Sequence, residues 1–159
     1  MSLLTSFEQK FNWPDLGLLI LRVVFGAIIL IFGVGKLIGG GDMLAMIGGA
    51  LAKFGLTKFP MVWGLLAALT ETLGGICILF GIFFRPAALL LFFNMVVATS
   101  FLWGAGPHLA SYGDLLTFLG TINPPLAFCT VFLALLFTGP GKYAIQKSGG
   151  GRSKSASQG

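Results

Sequence analysis

Residues 16–38 read LGLLILRVVFGAIILIFGVGKLI, and sixteen of them are Leu, Ile, Val or Phe. At about −0.4 kcal/mol each, these favour insertion into a bilayer by roughly 6 kcal/mol, against about 3 kcal/mol for one buried arginine. The run therefore crosses the membrane despite Arg22. It is too long for the apolar region of a signal peptide, and no clear A-x-A site follows it.

Composition agrees over the rest of the chain. Of 159 residues, 56% are hydrophobic and 9% are charged, where a soluble domain carries about 25% charged residues. So little polar surface cannot cover a soluble globule. Further apolar runs over 61–83, 87–103 and 124–138 predict an all-α, four-transmembrane-helix bundle. Residues 1–15 form a polar lead, residues 16–143 a single membrane domain, and residues 144–159, rich in Gly, Ser and Lys, a disordered tail.

Between the first two spans, residues 43–54 are too short to cross. Asp42 before them and Gly55 after them suit the N-cap and C-cap of a short interfacial helix. Arg85-Pro86 breaks spans two and three into antiparallel neighbours. Asn123-Pro124-Pro125 is read as the start of span four, with Asn123 as N-cap. That span is about 22 Å long, short for a core of about 30 Å. The preceding stretch, 115–122, is left as a candidate broken outer half.

The net charge is +5, but the basic residues do not form a nucleic-acid patch; many flank the apolar runs. The side holding both termini carries Lys10, Arg85, Lys142, Lys147, Arg152 and Lys154, and the other side carries Lys36, Lys53 and Lys58. The positive-inside rule then predicts a multi-pass protein of a bacterial inner membrane with both termini cytoplasmic.

Arg22 and Glu71 are the informative residues, because an ionisable group inside a span is a functional hypothesis by default. Each shares its helix face with small residues: Arg22 with Gly26 and Gly33, Glu71 with Gly64, Ala67, Ala68, Gly74 and Gly75. Such faces point into the bundle. From depths of roughly 9 Å and 18 Å, an Arg22–Glu71 interaction is expected, directly or through water. It either fixes helix register or lines a pocket for a quinone head group, a small solute or a proton. Asn94 either joins this cluster or bonds a neighbouring helix. Lys36, at the far end of span one, is expected to snorkel outward. The pair Gly35 and Gly39, and Gly26 with Gly33, are read as close helix packing.

Cys77 and Cys129 lie in spans two and four at similar depth. A thiol pair is the sharper reading, and small buried hydrophobes the plainer and preferred one. His108 reads as a surface-loop residue. One His and two separated Cys make no metal ligand set, and no phosphate loop, dinucleotide fingerprint or Ser-His-Asp signal is found.

Four pieces in order resemble the DoxX family of small bacterial membrane proteins: LRVVFGAIILIFGVGKL in span one, FGLTKFP before span two, ALTETLGGICILFGIFFRPAA through it, and GPGKYAI after span four. The resemblance runs over residues 21–144. Arg22, Lys36, Glu71 and Arg85 match its polar positions. Phe32 stands where many members carry His, and Ala144 and Gln146 replace a closing Ser and Asp. The resemblance implies a four-helix membrane bundle. It also implies association with quinone-linked or thiol-linked redox complexes, since founding relatives look like subunits tied to thiosulfate:quinone oxidoreduction. Others serve oxidative-stress defence, cargo reception or assembly.

The expectation is an accessory subunit with a redox-enzyme partner; catalysis of its own is left open, and its absence is the preferred reading. A quinone-reducing enzyme subunit in its own right, a small-solute or proton pathway, and a structural or assembly protein are the alternatives. No cofactor is evident beyond a quinone. Membrane lipid is a partner, nucleic acid is not, and Gly-rich helices allow a homo-oligomer.

Overall fold

The computed structural model describes residues 13–104 and 111–146. Within them run five α-helices: α1 (Trp13–Ile38), α2 (Gly40–Gly48), α3 (Pro60–Phe80), α4 (Phe84–Gly104) and α5 (Tyr112–Thr138). A 3-10 helix (Gly49–Phe54) extends α2. Four of them, α1, α3, α4 and α5, are long and apolar enough to cross a membrane, and α2 is the short helix expected between the first two spans. Their outward side chains suit lipid: Ile31, Ile38 and Phe137 are each at least two-thirds exposed.

Local chemistry sets the ends. Pro60 opens α3 at a position where its missing N–H costs nothing. Gly81 closes α3 in the left-handed region, with Ile82 N donating to Cys77 O and Gly81 N to Ile78 O, the paired bonds of a Schellman turn. Gly55 ends the 3-10 helix in the same way, as expected of it. Asp42 does not cap α2. The helix begins two residues earlier, and Asp42 sits in its first turn. The third span likewise begins before the Arg85-Pro86 break, at Phe84. Pro86 falls within the first turn, where its nitrogen owes no intrahelical bond.

The fourth span differs most from expectation. It does not start at Asn123. A Ser111–Asp114 capping box starts it at Tyr112, and the helix runs through Pro124 and Pro125. Both prolines lie inside the helix, where neither can donate an N–H to its i−4 carbonyl. The result is 27 residues, about 40 Å, long enough to span.

The helices form a ring in the order α1, α3, α4, α5, with α2 laid on α3. The core is built from Ile29, Ile78, Leu91, Met95, Phe128, Phe132 and their neighbours. Phe25 and Phe32 close the ring from α1 by edge contacts to Phe128 of α5. Phe32 therefore fills an apolar contact at the position where the family often carries His.

Glycine governs the α1–α3 seam. A Cβ on Gly26 would lie 2.9 Å from Leu79 N, and one on Gly75 would lie 2.8 Å from Leu30 N. Gly33 meets Thr72 and Ala68 as closely. Gly35 faces open space, and Gly39 meets only the Met43 side chain. The close-packing reading therefore belongs to Gly26 and Gly33, not to the Gly35–Gly39 pair.

Residues 144–146 do not belong to a disordered tail. Ile145 N and Gln146 N donate to Phe80 O and Gly81 O, the Gln146 side chain accepts from Phe83 N, and Ala144 is buried. Residues 1–12, 105–110 with His108, and the rest of the tail lie outside the described residues.

Gly75→Ala is expected to destabilise the protein by about 2 kcal/mol through overpacking, whereas Gly35→Ala leaves stability unchanged or slightly raised. Thermal unfolding in mild detergent checks both.

Candidate functional site

Five residues of α1 fall on one face at spacings of four, three, four and three: Arg22, Gly26, Ile29, Gly33 and Lys36. The first four are buried. Opposite them, α3 offers Ala68, Glu71, Gly75 and Ile78. The two helices are antiparallel, so Arg22 meets the end of α3 and Lys36 its middle.

Arg22 and Glu71 are both 1% exposed, but they do not pair. Arg22 Nε donates to Ile78 O at 3.2 Å, Nη2 to Leu79 O at 3.3 Å and Nη1 to Pro140 O at 2.6 Å. Its guanidinium lies 5.8 Å from the centre of the Phe84 ring. The arginine thus ties α1 to the last turn of α3 and to the turn after α5.

Glu71 pairs instead with Lys36. Oε1 accepts from Lys36 Nζ and, at 3.0 Å, from Asn94 Nδ2 of α4. Lys36 therefore does not snorkel. A helical side chain leans toward the helix N-terminus, and for a residue in the last turn of α1 that direction is inward. The same lean carries Arg22 outward, away from Glu71. Asn94, expected either in the cluster or on a neighbouring helix, does both, since Nδ2 also lies 3.5 Å from Ala67 O.

The second carboxylate oxygen, Glu71 Oε2, is buried and has no hydrogen-bond partner among the described residues. Glu71 lines a cavity of about 260 Å³ bounded by α3, α4 and the α2–3-10 segment. Lys36, Asn94, Thr70 and Trp63 also line it; most of the remaining wall is apolar, including Leu51 and Phe93. Lys53 bonds Phe101 O at 2.6 Å and lies over the Phe101 ring, which holds the 3-10 helix against α4. Such a space, apolar with a few convergent polar groups, is the usual form of a small-molecule site.

The remaining candidates lie elsewhere. Arg85 is exposed and lines a separate cavity of about 590 Å³ with Asp15 and residues 138–142. There Asp15 accepts from Lys142 N at 3.0 Å and pairs with its ammonium. Cys77 and Cys129 are free thiols. Cys129 contacts Phe92 O of α4, at 3.9 Å, while Cys77 lines a groove between α3 and α4. Among the described residues no group of three or more His, Cys, Asp or Glu could hold a metal. Sequence reasoning missed the Lys36 partnership, although the regular spacing from Arg22 to Lys36 carried it. It also missed Thr70 and Trp63, which nothing but their helix face could have flagged.

The DoxX family model matches residues 17–104, which span α1 through α4 and hold Arg22, Lys36, Glu71 and Asn94. The GPGKYAI similarity lies beyond the matched region. No curated protein and no solved structure matches the chain.

Two predictions follow from the seam. Lys36→Met leaves a buried carboxylate unpaired and is expected to cost about 3 kcal/mol. Adding Glu71→Leu recovers most of that loss, as a double-mutant cycle of unfolding in detergent measures. Arg22→Lys loses the fork that reaches three carbonyls and is expected to cost about 2 kcal/mol in the same assay.

Proposed function

The chain belongs to the DoxX family, and from that footing we propose that it is an accessory membrane subunit of a redox complex, holding a quinone head group at Glu71 beside a partner enzyme that supplies the electrons. The observation that carries this reading is Glu71 Oε2, a buried carboxylate oxygen without a partner among the described residues, on a cavity with mostly apolar walls.

The residues fit that head group. Lys36 Nζ has donors to spare beyond the bond to Glu71, and Asn94 supplies a neutral amide, so a carbonyl oxygen can be held. Glu71 Oε2 can accept a hydrogen bond from a hydroxyl of the reduced form. The apolar walls exclude water and strengthen these bonds. When bound, a quinone supplies two-electron, two-proton chemistry; this chain's part is to bind and orient the head group. Cys77 and Cys129 are assigned no role in it. The excess of Lys and Arg on the side of the termini supports a bacterial inner-membrane protein with cytoplasmic termini.

The test is purification in mild detergent, with mass spectrometry of co-purifying proteins and lipids, comparing wild type with Glu71→Gln. Quinone is expected with the wild type and about tenfold less with the variant, the loss of one charge-assisted hydrogen bond, and a redox enzyme is expected alongside. A protein that emerges alone in both forms, with only its stability changed, overturns the reading.

A further inference from the structure

The Glu71 cavity does not stand alone. A groove of about 500 Å³ runs along α3 and α4, and it shares Leu66, Thr70 and Leu90 with that cavity. From this joint the groove passes Leu73 and Cys77 on α3 and ends near Phe83 and Pro86. Its lining includes no charged residue. The polar groups thus lie in the first of two adjoining spaces, and the second is hydrocarbon-like.

Depth narrows what can fill it. Glu71 is the twelfth residue of the 21-residue α3, about 16 Å from its start. A phospholipid keeps its charged head at the interface, because carrying it to that depth is costly. Only a small, weakly polar head can sit at Glu71 and still lead a tail into the groove.

We propose that the α3–α4 groove takes the single prenyl tail of the ligand whose head group is held at Glu71. The tail passes Thr70 between Leu66 and Leu90 and runs toward Phe83. This rests on the head-group reading of the Glu71 cavity. Because tail and bilayer are equally apolar, the groove gains by packing and not by excluding water. It therefore fixes where the tail lies more than how tightly the ligand binds.

The test uses the full-length protein in nanodiscs of synthetic phosphatidylcholine. Two probes are used: a short-tailed ubiquinone, read by quenching of Trp63 in a Trp13→Phe/Trp103→Phe background, and a ubiquinone analogue with a farnesyl tail bearing a diazirine at its far end. The expected result is Trp63 quenching by the first probe. After illumination, the second probe should label residues 77–87, with labelling reduced about fivefold or more in Glu71→Gln. Cys77→Phe, which fills the groove, should move the label elsewhere while leaving short-tail quenching intact. Leu73→Phe, on the exposed rim, serves if that variant fails to fold. Trp63 quenching with label scattered over the lipid-facing residues of all four spans overturns the tail assignment and leaves the head-group reading standing. No Trp63 quenching by the first probe, with no Glu71-dependent labelling by the second, overturns both.

Discussion

The structure depends on the backbone contact between α1 and α3. Lipid chains are as apolar as leucine, so nothing squeezes these helices together as water would. Association rests on close packing and on hydrogen bonds between helices. Gly26, Gly33 and Gly75 provide the first by removing the side chains that would hold the backbones apart. That closeness makes the second possible, because Arg22 and Lys36 can then reach α3 at two levels of one seam.

The two cations meet different partners for one geometric reason. Both lean toward the N-terminus of α1. From Arg22 that direction leads to the membrane edge, where α3 ends and its last carbonyls lack intrahelical donors. A helix C-terminus carries partial negative charge and accepts a cation there. Ile78 O, Leu79 O and Pro140 O complete a site for guanidinium with no carboxylate in it. Glu71 is therefore not spent on Arg22. It is held by Lys36, which from the other end of α1 leans toward the bundle centre.

Much of this was legible in the sequence and some was not. Hydropathy located three spans to within a few residues, and Gly55 marked the end of the short segment because its role there is purely local. The small-residue faces of α1 and α3 were legible as well, being periodic. The start of α5 was misplaced because Pro124-Pro125 reads as a helix boundary, whereas the Ser111–Asp114 box starts one helix that runs through both prolines. The contact of residues 144–146 with the end of α3 had no periodic signature and depends on tertiary placement. The Arg22–Glu71 pairing failed because distance along the membrane normal was used without side-chain direction. Lys36 was the better partner on direction, although it is farther from Arg22's end of the seam.

What remains is why Glu71 carries only half a shell of partners among the described residues. If the pair served register alone, the geometry would favour satisfying both oxygens. A buried acceptor left unpaired costs about 1–3 kcal/mol, and a well-packed apolar substitute for a buried pair often costs nothing. In this bundle, Gly26, Gly33 and Gly75 already fix the register of α1 on α3 by backbone contact, with no need of a charge at its centre. The unpaired oxygen is therefore a cost that helix packing does not explain. It lies on a residue lining a cavity that α2, α3 and α4 build together, with Lys36 and Asn94 at its edge. A carboxylate so placed has a free acceptor facing that cavity, and one further hydrogen bond there would offset the cost.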